Sequence, residues 1–204
     1  EAMPIKQGLD KALANLNLLP TKLVPKASAQ AVNRVAAGAS SRAIRLTAKD
    51  SRVQVPAKLL RPRVKIFKAS QQKPSATIRV RRRPIPLIKV GAVQQRLVRY
   101  RQSAFTGIGD MQVGRHRVPG GFIADGGQGF GEYRRGGGYA ATKLKSWQIL
   151  RRVGKGRHAL EVMRIPLVTP ITEHYERESK AGMTRDMPRE MQRALLRQLQ
   201  LTFK

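Results

Sequence analysis

The residues best suited to chemistry in this sequence are cations gathered in its central part. Between Ser51 and Gly109 the chain carries many lysines and arginines but no aspartate or glutamate. Guanidinium groups bind phosphate oxygens in pairs, and bound cations release counterions from a nucleic-acid backbone. We therefore predict a contact with DNA phosphates, and the residues assigned to it are Arg79, Arg81, Arg82, Arg83, Lys89, Arg96 and Arg99.

The same cations have two simpler explanations. A solvated basic surface, or a face paired with an acidic neighbouring subunit, would use the same residue types. The overall composition favours a polyanionic partner, since 41 lysines and arginines against 12 acidic residues give a net charge of +29. Self-repulsion of this size is relieved by a nearby nucleic acid, anionic membrane surface or acidic protein.

Residues suited to catalysis or metal binding are few and scattered. The chain has no cysteine, and His116, His158 and His174 lack the spacing of a zinc site. In the glycine-rich stretch, Glu132 stands where the third glycine of a dinucleotide-binding fingerprint would be. A hydrolase or nuclease would need a cluster of acids, which the sequence does not show. We predict no enzymatic activity, no cofactor and no metal site.

Recognition of a particular DNA sequence is also disfavoured. The basic residues fall on predicted strands and loops, and no helix-turn-helix or zinc-finger spacing occurs. Aromatic residues make up only 5% of the chain, which argues against a platform for stacking single-stranded bases. Any contact with nucleic acid is therefore expected to involve the backbone, independently of base sequence.

The first secondary-structure elements predicted along the chain are helices. Apolar residues three and four apart predict a short amphipathic helix at 5–19 and a longer one at 26–49. A further helical turn is predicted at 55–60. No run of about 18 apolar residues suggests a membrane span, and residues 1–19 lack the pattern of a signal peptide.

The strands that follow carry part of the basic stretch. Polar and apolar residues alternate at 63–68 and 76–81, which predicts a hairpin with Arg79 and Arg81 on one face. The proline-flanked segment 85–90 is predicted to be an edge strand or extended.

Glycines dominate the chain from 105 to 139, which predicts a long loop interrupted by a turn and a short strand at 115–123. Two strands, 147–153 and 159–165, are predicted to form a hairpin, with Trp147 in the core.

The C-terminal part is predicted to be helical again. Thr169 is expected to cap one helix and Asp186 a second. This order of elements predicts an α+β fold, with a small antiparallel sheet packed by N-terminal and C-terminal helices. We predict a single domain over residues 1–204, composed of 1–50, 62–165 and 169–204.

Several stretches together resemble the minor tail protein Z family of lambda-like long-tailed phages. The segment Pro-Gly-Gly-Phe-Ile at 119–123 is similar to the family's Pro-Gly-Ala-Phe-Ile, with Gly121 in place of alanine. Met-Pro-Arg-Glu at 187–190 resembles the family's Leu-Pro-Lys-Glu helix start. The sequence departs from the family pattern by a glycine-rich insert at 124–141. The other matching stretches are 31–36, 76–80, 85–91 and 162–172.

The resemblance implies a virion protein at the head-proximal end of the tail, assembled in the host cytoplasm and needed for head–tail joining. Its implied partners are the tail terminator, tube and connector proteins. It also implies a homo-oligomeric ring, sixfold as in related tail-completion proteins. A basic inner face of such a ring would lie next to the leading DNA end. The alternative, which composition alone favours, is a nucleic-acid-binding protein outside the virion, of the ribosomal or nucleoid type.

Overall fold

A computed structural model describes residues 22–99, 106–125, 133–134, 138–139, 147–154 and 160–202. The chain divides into two units. The first contains residues up to Thr47, Leu60–Arg81 and residues from Ile171 onward, and the second contains Ala48–Leu59 and Arg82–Pro170. The helix predicted at 5–19 lies outside the described residues, and the prediction of a single domain stays a prediction.

The first unit is built on a long helix, α1, at Val24–Lys49, which confirms the helix predicted at 26–49. Small side chains on one face, including Ala27 and Ala31, are completely buried. They pack against Ala194 of the C-terminal helix. Alanine keeps helix propensity high and lets a second helix come close, so both local and packing requirements are met.

An antiparallel hairpin completes this unit, as predicted. Strands β1, Val64–Phe67, and β2, Thr77–Val80, pair with Lys65 opposite Arg79 and Ile66 opposite Ile78. Burial alternates along both strands, so one face packs inward and the other carries charge.

The C-terminal helices are joined without a break. Helix α3, Val168–Ala181, continues through a π-helical turn, Gly182–Asp186, into the last helix at Met187–Thr202. The prediction that Asp186 caps a separate helix is wrong, because its carboxylate binds Arg42 and Arg185 instead. Thr169 falls just inside the helix, one residue past its start.

The second unit contains most of the short helix α2, Ala57–Leu60, where a helical turn was predicted. Strand β3, Ile85–Pro86, pairs with a strand at Arg164–Ile165. The extended segment predicted at 85–90 is only partly correct, since Leu87–Lys89 turn into a 3₁₀ helix. That turn is closed by the Val90 amide, which donates to the Leu87 carbonyl over 3.0 Å.

A three-stranded sheet extends into the region predicted to be loop, with its central strand at residues 106–113. Strands β4, Val93–Arg99, β5, Thr106–Val113, and β6, His116–Val118, pair antiparallel in that order. The loop prediction for 105–139 is wrong here, because glycine keeps both backbone hydrogen-bonding groups. Gly107 pairs with Val98, while Met111 and Val113 are fully buried.

A second three-stranded sheet contains β7, Gly121–Asp125, with β10, Trp147–Arg152, at its centre and β11, Leu160–Val162, at its other edge. The hairpin and the short strand predicted here are confirmed. The prediction that Trp147 lies in the core is wrong, since its side chain is 58% exposed. Trp147 stands at the first position of its strand, ahead of the buried pair Ile149 and Leu150.

The remaining strands are short. Strands β8, Tyr133–Arg134, and β9, Gly138–Tyr139, pair with each other, and β12, Arg164–Ile165, is the partner of β3. Helices at both ends of the chain and small antiparallel sheets between them confirm the predicted α+β class. None of the helices in the described ranges combines the length and hydrophobicity of a membrane span.

Candidate nucleic-acid interface

The outer face of the β1–β2 hairpin presents two cations around an aromatic ring. Lys65 and Arg79 lie directly opposite each other. The ring of Phe67 is 40% exposed; the Lys65 amine lies 5.2 Å from its centroid and the Arg79 guanidinium 5.4 Å. Like charges at opposed positions repel, and the electron-rich ring face compensates by about 0.5–1 kcal/mol per cation.

Phe67 and Lys65 add two candidate residues to those assigned from sequence. The low aromatic content argued against base stacking, yet the exposed ring of Phe67 stands among cations. The alternation at 63–68 already placed Lys65 and Phe67 on one face. What could not be anticipated was the register of the hairpin, which brings Arg79 to the same ring.

Arg81 extends the pairing of the hairpin by one backbone hydrogen bond. Its amide donates to the Arg63 carbonyl over 2.8 Å, and its side chain is exposed. Arg63 is half-buried, and burial lowers the pKa of its guanidinium. Arg79 and Arg81 are thus both exposed at the end of the hairpin in the first unit, and their assignment to a DNA contact stays a prediction.

The other assigned cations belong to the second unit. Arg82 and Arg83 are exposed on the extended segment that enters β3, and Lys89 is exposed at the end of the 3₁₀ turn. Arg96 and Arg99 lie on β4, where the structure describes the strand and not their side chains. One continuous DNA-binding site composed of all seven residues stays a prediction.

Acidic side chains of the first unit are engaged by arginines. Arg42 of α1 donates to Glu178 over 2.8 Å and also binds Asp186. The hydrogen bond to Glu178 is the largest effect that raises the pKa of Arg42, against the opposing effect of burial. In the described part of the chain, no three acids or histidines converge in a way that could hold a metal ion.

A buried pair of hydroxyls lies close to this network. The oxygens of Ser40 and Tyr175 are 3.1 Å apart, and both side chains are buried. Burial raises the pKa of the Tyr175 phenol, and the hydrogen bond with Ser40 acts in the opposite direction. The hydrogen bond between these two hydroxyls joins α1 to α3.

These features define a basic α+β protein that exposes many lysine and arginine side chains. Ion pairs between acidic residues and arginines join its helices. The chain belongs to the prophage minor tail protein Z (GPZ) family, whose model matches residues 5–204. The resemblance found in the sequence is thereby confirmed, and membership of this family supports a structural role in the phage tail.

Two relatives cover nearly the whole chain. The tail completion protein of Escherichia phage N15 is 38% identical over 195 residues, which is 96% of this chain and 96% of that protein. Tail completion protein Z of Escherichia phage lambda is 31% identical over 210 residues, covering 99% of this chain and all of that protein. No solved structure matches the chain.

Proposed function

We propose that this chain is a structural virion protein that completes the phage tail at its head-proximal end and takes part in head–tail joining. The observation that carries the proposal is full-length similarity to two proteins named for tail completion. The role is not enzymatic. In support, Glu178 and Asp186 form ion pairs with Arg42 of α1.

The proposed partners are the tail terminator, tube and connector proteins, with further copies of this chain in a sixfold ring. Closed rings of identical subunits are a common form of symmetric assembly, and their interfaces bury apolar side chains. Apolar side chains available for such contacts are exposed on the C-terminal helices, among them Met183, Leu196 and Leu201.

The basic faces are proposed to hold the leading DNA end. Arg79 and Arg81 on the hairpin, and Arg82 and Arg83 beyond it, would contact phosphates without reading base sequence. A net charge of +29 supports this role, since DNA phosphates would offset the mutual repulsion of the subunits.

The tail role is tested by reconstitution. Tails made without this chain should form tubes of normal length that fail to join filled heads, and added purified chain should restore joining. Gold-labelled antibody against the chain should mark only the head-proximal end. Normal joining without the chain, or label along the tube, would overturn the proposal.

The DNA role needs a separate variant. Replacing Arg81, Arg82 and Arg83 by glutamate should leave assembly intact while DNA is lost from joined particles and the plaque titre falls. The control carries the same charge change on exposed helical positions, at Arg45, Lys180 and Arg189. Equal titres for the two variants would reject a specific role for the arginine triplet.

The alternative is a nucleic-acid-binding protein outside the virion, of the ribosomal or nucleoid type. The exposed ring of Phe67 between Lys65 and Arg79 favours it, because such a face also suits free nucleic acid. A protein of that type should be washed from purified tails by high salt, whereas an integral tail subunit should remain.

A further inference from the structure

A second concentration of cations surrounds a cleft in the first unit. The cleft has a volume of about 380 Å³, and half of its eight lining residues are cationic: Lys26, Arg34, Lys68 and Arg197. These four residues come from three elements: α1, the segment that follows β1, and the last helix, α4, Met187–Thr202. None of the four belongs to the DNA contact assigned from sequence.

The fold sets the positions of these cations through their immediate neighbours. Asn33 of α1 holds the backbone of Ala69 with two hydrogen bonds, of 2.7 and 3.0 Å, and so fixes the adjacent Lys68.

Packing of Ala27 against Ala194 brings together the helix segments that carry Lys26 and Arg197. The cleft is therefore a consequence of buried packing, with its cations on a rigid frame.

Within the described part of the chain, little negative charge lies near the cleft. Arg34 lies 3.3 Å from Glu190, but the same carboxylate also pairs with Arg193 at 2.9 Å. Among the described residues, no acid lies within ion-pair distance of Lys26, Lys68 or Arg197. Lys26 lies in the first turn of α1, and that turn contains no acidic side chain.

We propose that this cleft binds phosphate groups of a nucleic-acid backbone. The guanidinium of Arg197 provides the paired donors that suit phosphate oxygens, and Lys26 and Lys68 add point charges from the other walls. One carboxylate from a protein partner would leave most of this charge unbalanced, whereas successive phosphates neutralise it. The proposal goes beyond the tail role and does not depend on where the chain sits in the particle.

The first test measures the salt dependence of DNA binding by the full-length protein. Fluorescence anisotropy with a labelled duplex gives the slope of log affinity against log salt. The double variant Lys68→Gln, Arg197→Gln should reduce the magnitude of that slope by about 2, since each lost phosphate contact removes about 0.9. Affinity at low salt should fall at least about tenfold.

The matched control removes two exposed cations from helices of the same unit without touching the cleft, as Arg45→Gln, Lys180→Gln. Its slope should change by less than half as much. Equal changes in the two variants would mean that only net charge matters, and the cleft proposal would be overturned. Thermal unfolding by circular dichroism confirms that both variants are folded before binding is compared.

A second measurement separates nucleic acid from free phosphate as the ligand. Titration calorimetry with inorganic tripolyphosphate should show binding to the wild type that the cleft variant weakens about tenfold and the control leaves unchanged. Tripolyphosphate binding combined with an unaltered DNA slope would overturn the assignment to nucleic acid. If the cleft variant retained wild-type binding of both ligands, the phosphate site itself would be rejected.

Discussion

The side-chain amide of Asn33 and the backbone of Ala69 form a closed pair of hydrogen bonds. Asn33 Nδ2 donates to the Ala69 carbonyl over 3.0 Å, and the Ala69 amide donates to Asn33 Oδ1 over 2.7 Å. Ala69 is buried two residues after the end of β1, where its backbone groups no longer have a strand partner. One side chain on α1 thus terminates the strand and positions Lys68.

Replacing Asn33 by alanine should lower the free energy of unfolding by about 1–3 kcal/mol, because a buried amide and carbonyl lose their partners. Urea unfolding followed by circular dichroism measures the change. Gln30→Ala, one turn earlier on the same helix, provides the control and should cost less than about 0.5 kcal/mol. Similar losses in the two variants would contradict the special role of the Asn33–Ala69 pair.

The hydroxyls of Ser40 and Tyr175 should show energetic coupling. Ser40→Ala and Tyr175→Phe each leave a buried hydroxyl without this partner, whereas the double variant removes both groups. The double variant should therefore be more stable than the sum of the single effects predicts, by about 1 kcal/mol. Additive losses would show that the 3.1 Å contact contributes nothing to stability.

The π-helical turn should tolerate only a very small residue at Gly182. A Cβ atom placed there would lie 3.1 Å from Val35 Cγ1 on α1. Gly182→Leu should consequently destabilise the protein by about 1–3 kcal/mol through overpacking. Gly38→Ala is the contrasting variant: its Cβ meets only Arg42 Nη1 at 3.5 Å.

Because the added methyl of Gly38→Ala finds ordinary contact distance within a helix, this variant should stabilise the protein by about 0.5–1 kcal/mol. Thermal melts of the two glycine variants measure both effects. A stable Gly182→Leu protein would show that the last helices do not pack closely on α1 at Val35.

Acid should weaken the Arg42 network through Asp186. The hydrogen bond from Arg185 is the main cause that lowers the pKa of Asp186; burial opposes it and Arg42 reinforces it. A carboxyl with a lowered folded-state pKa stabilises the fold above its unfolded pKa, near 3.8. That contribution is lost as the pH falls through the lower folded value.

Asp186→Asn should therefore reduce stability at neutral pH and flatten the decline of stability below about pH 4. Urea midpoints measured across this range test the effect. Glu176→Gln, which removes an exposed acid from α3, is the variant with the same change of charge. An unaltered acid decline in Asp186→Asn would assign the acid sensitivity to other carboxyls.

The local sequence pattern correctly predicted those helices and strands in which buried residues recur at a regular spacing. The helix at Val24–Lys49 and the alternating strands Val64–Phe67 and Thr77–Val80 are of this kind. The strand Thr106–Val113 was not predicted, because its two glycines indicated a loop. The sequence does show apolar Met111 and Val113 on either side of polar Gln112, and both apolar residues are buried in the structure.

Contacts between distant parts of the chain could not be predicted. Arg42 and Glu178 are 136 residues apart in sequence, and nothing in either local pattern selects the other as a partner. The cleft around Lys26 and Arg197 depends in the same way on helix packing. The cations of the hairpin could be named in advance, but their arrangement around Phe67 depends on strand register.

The measurement that tests the central claim most directly is quantitative mass spectrometry of purified tails washed in high salt. Copies of this chain are normalised to the tube protein. About six copies per tail, one closed ring, are predicted for a subunit at a single level of the tail. Its absence from washed tails, or copies in proportion to tube length, would contradict tail completion as the function of this chain.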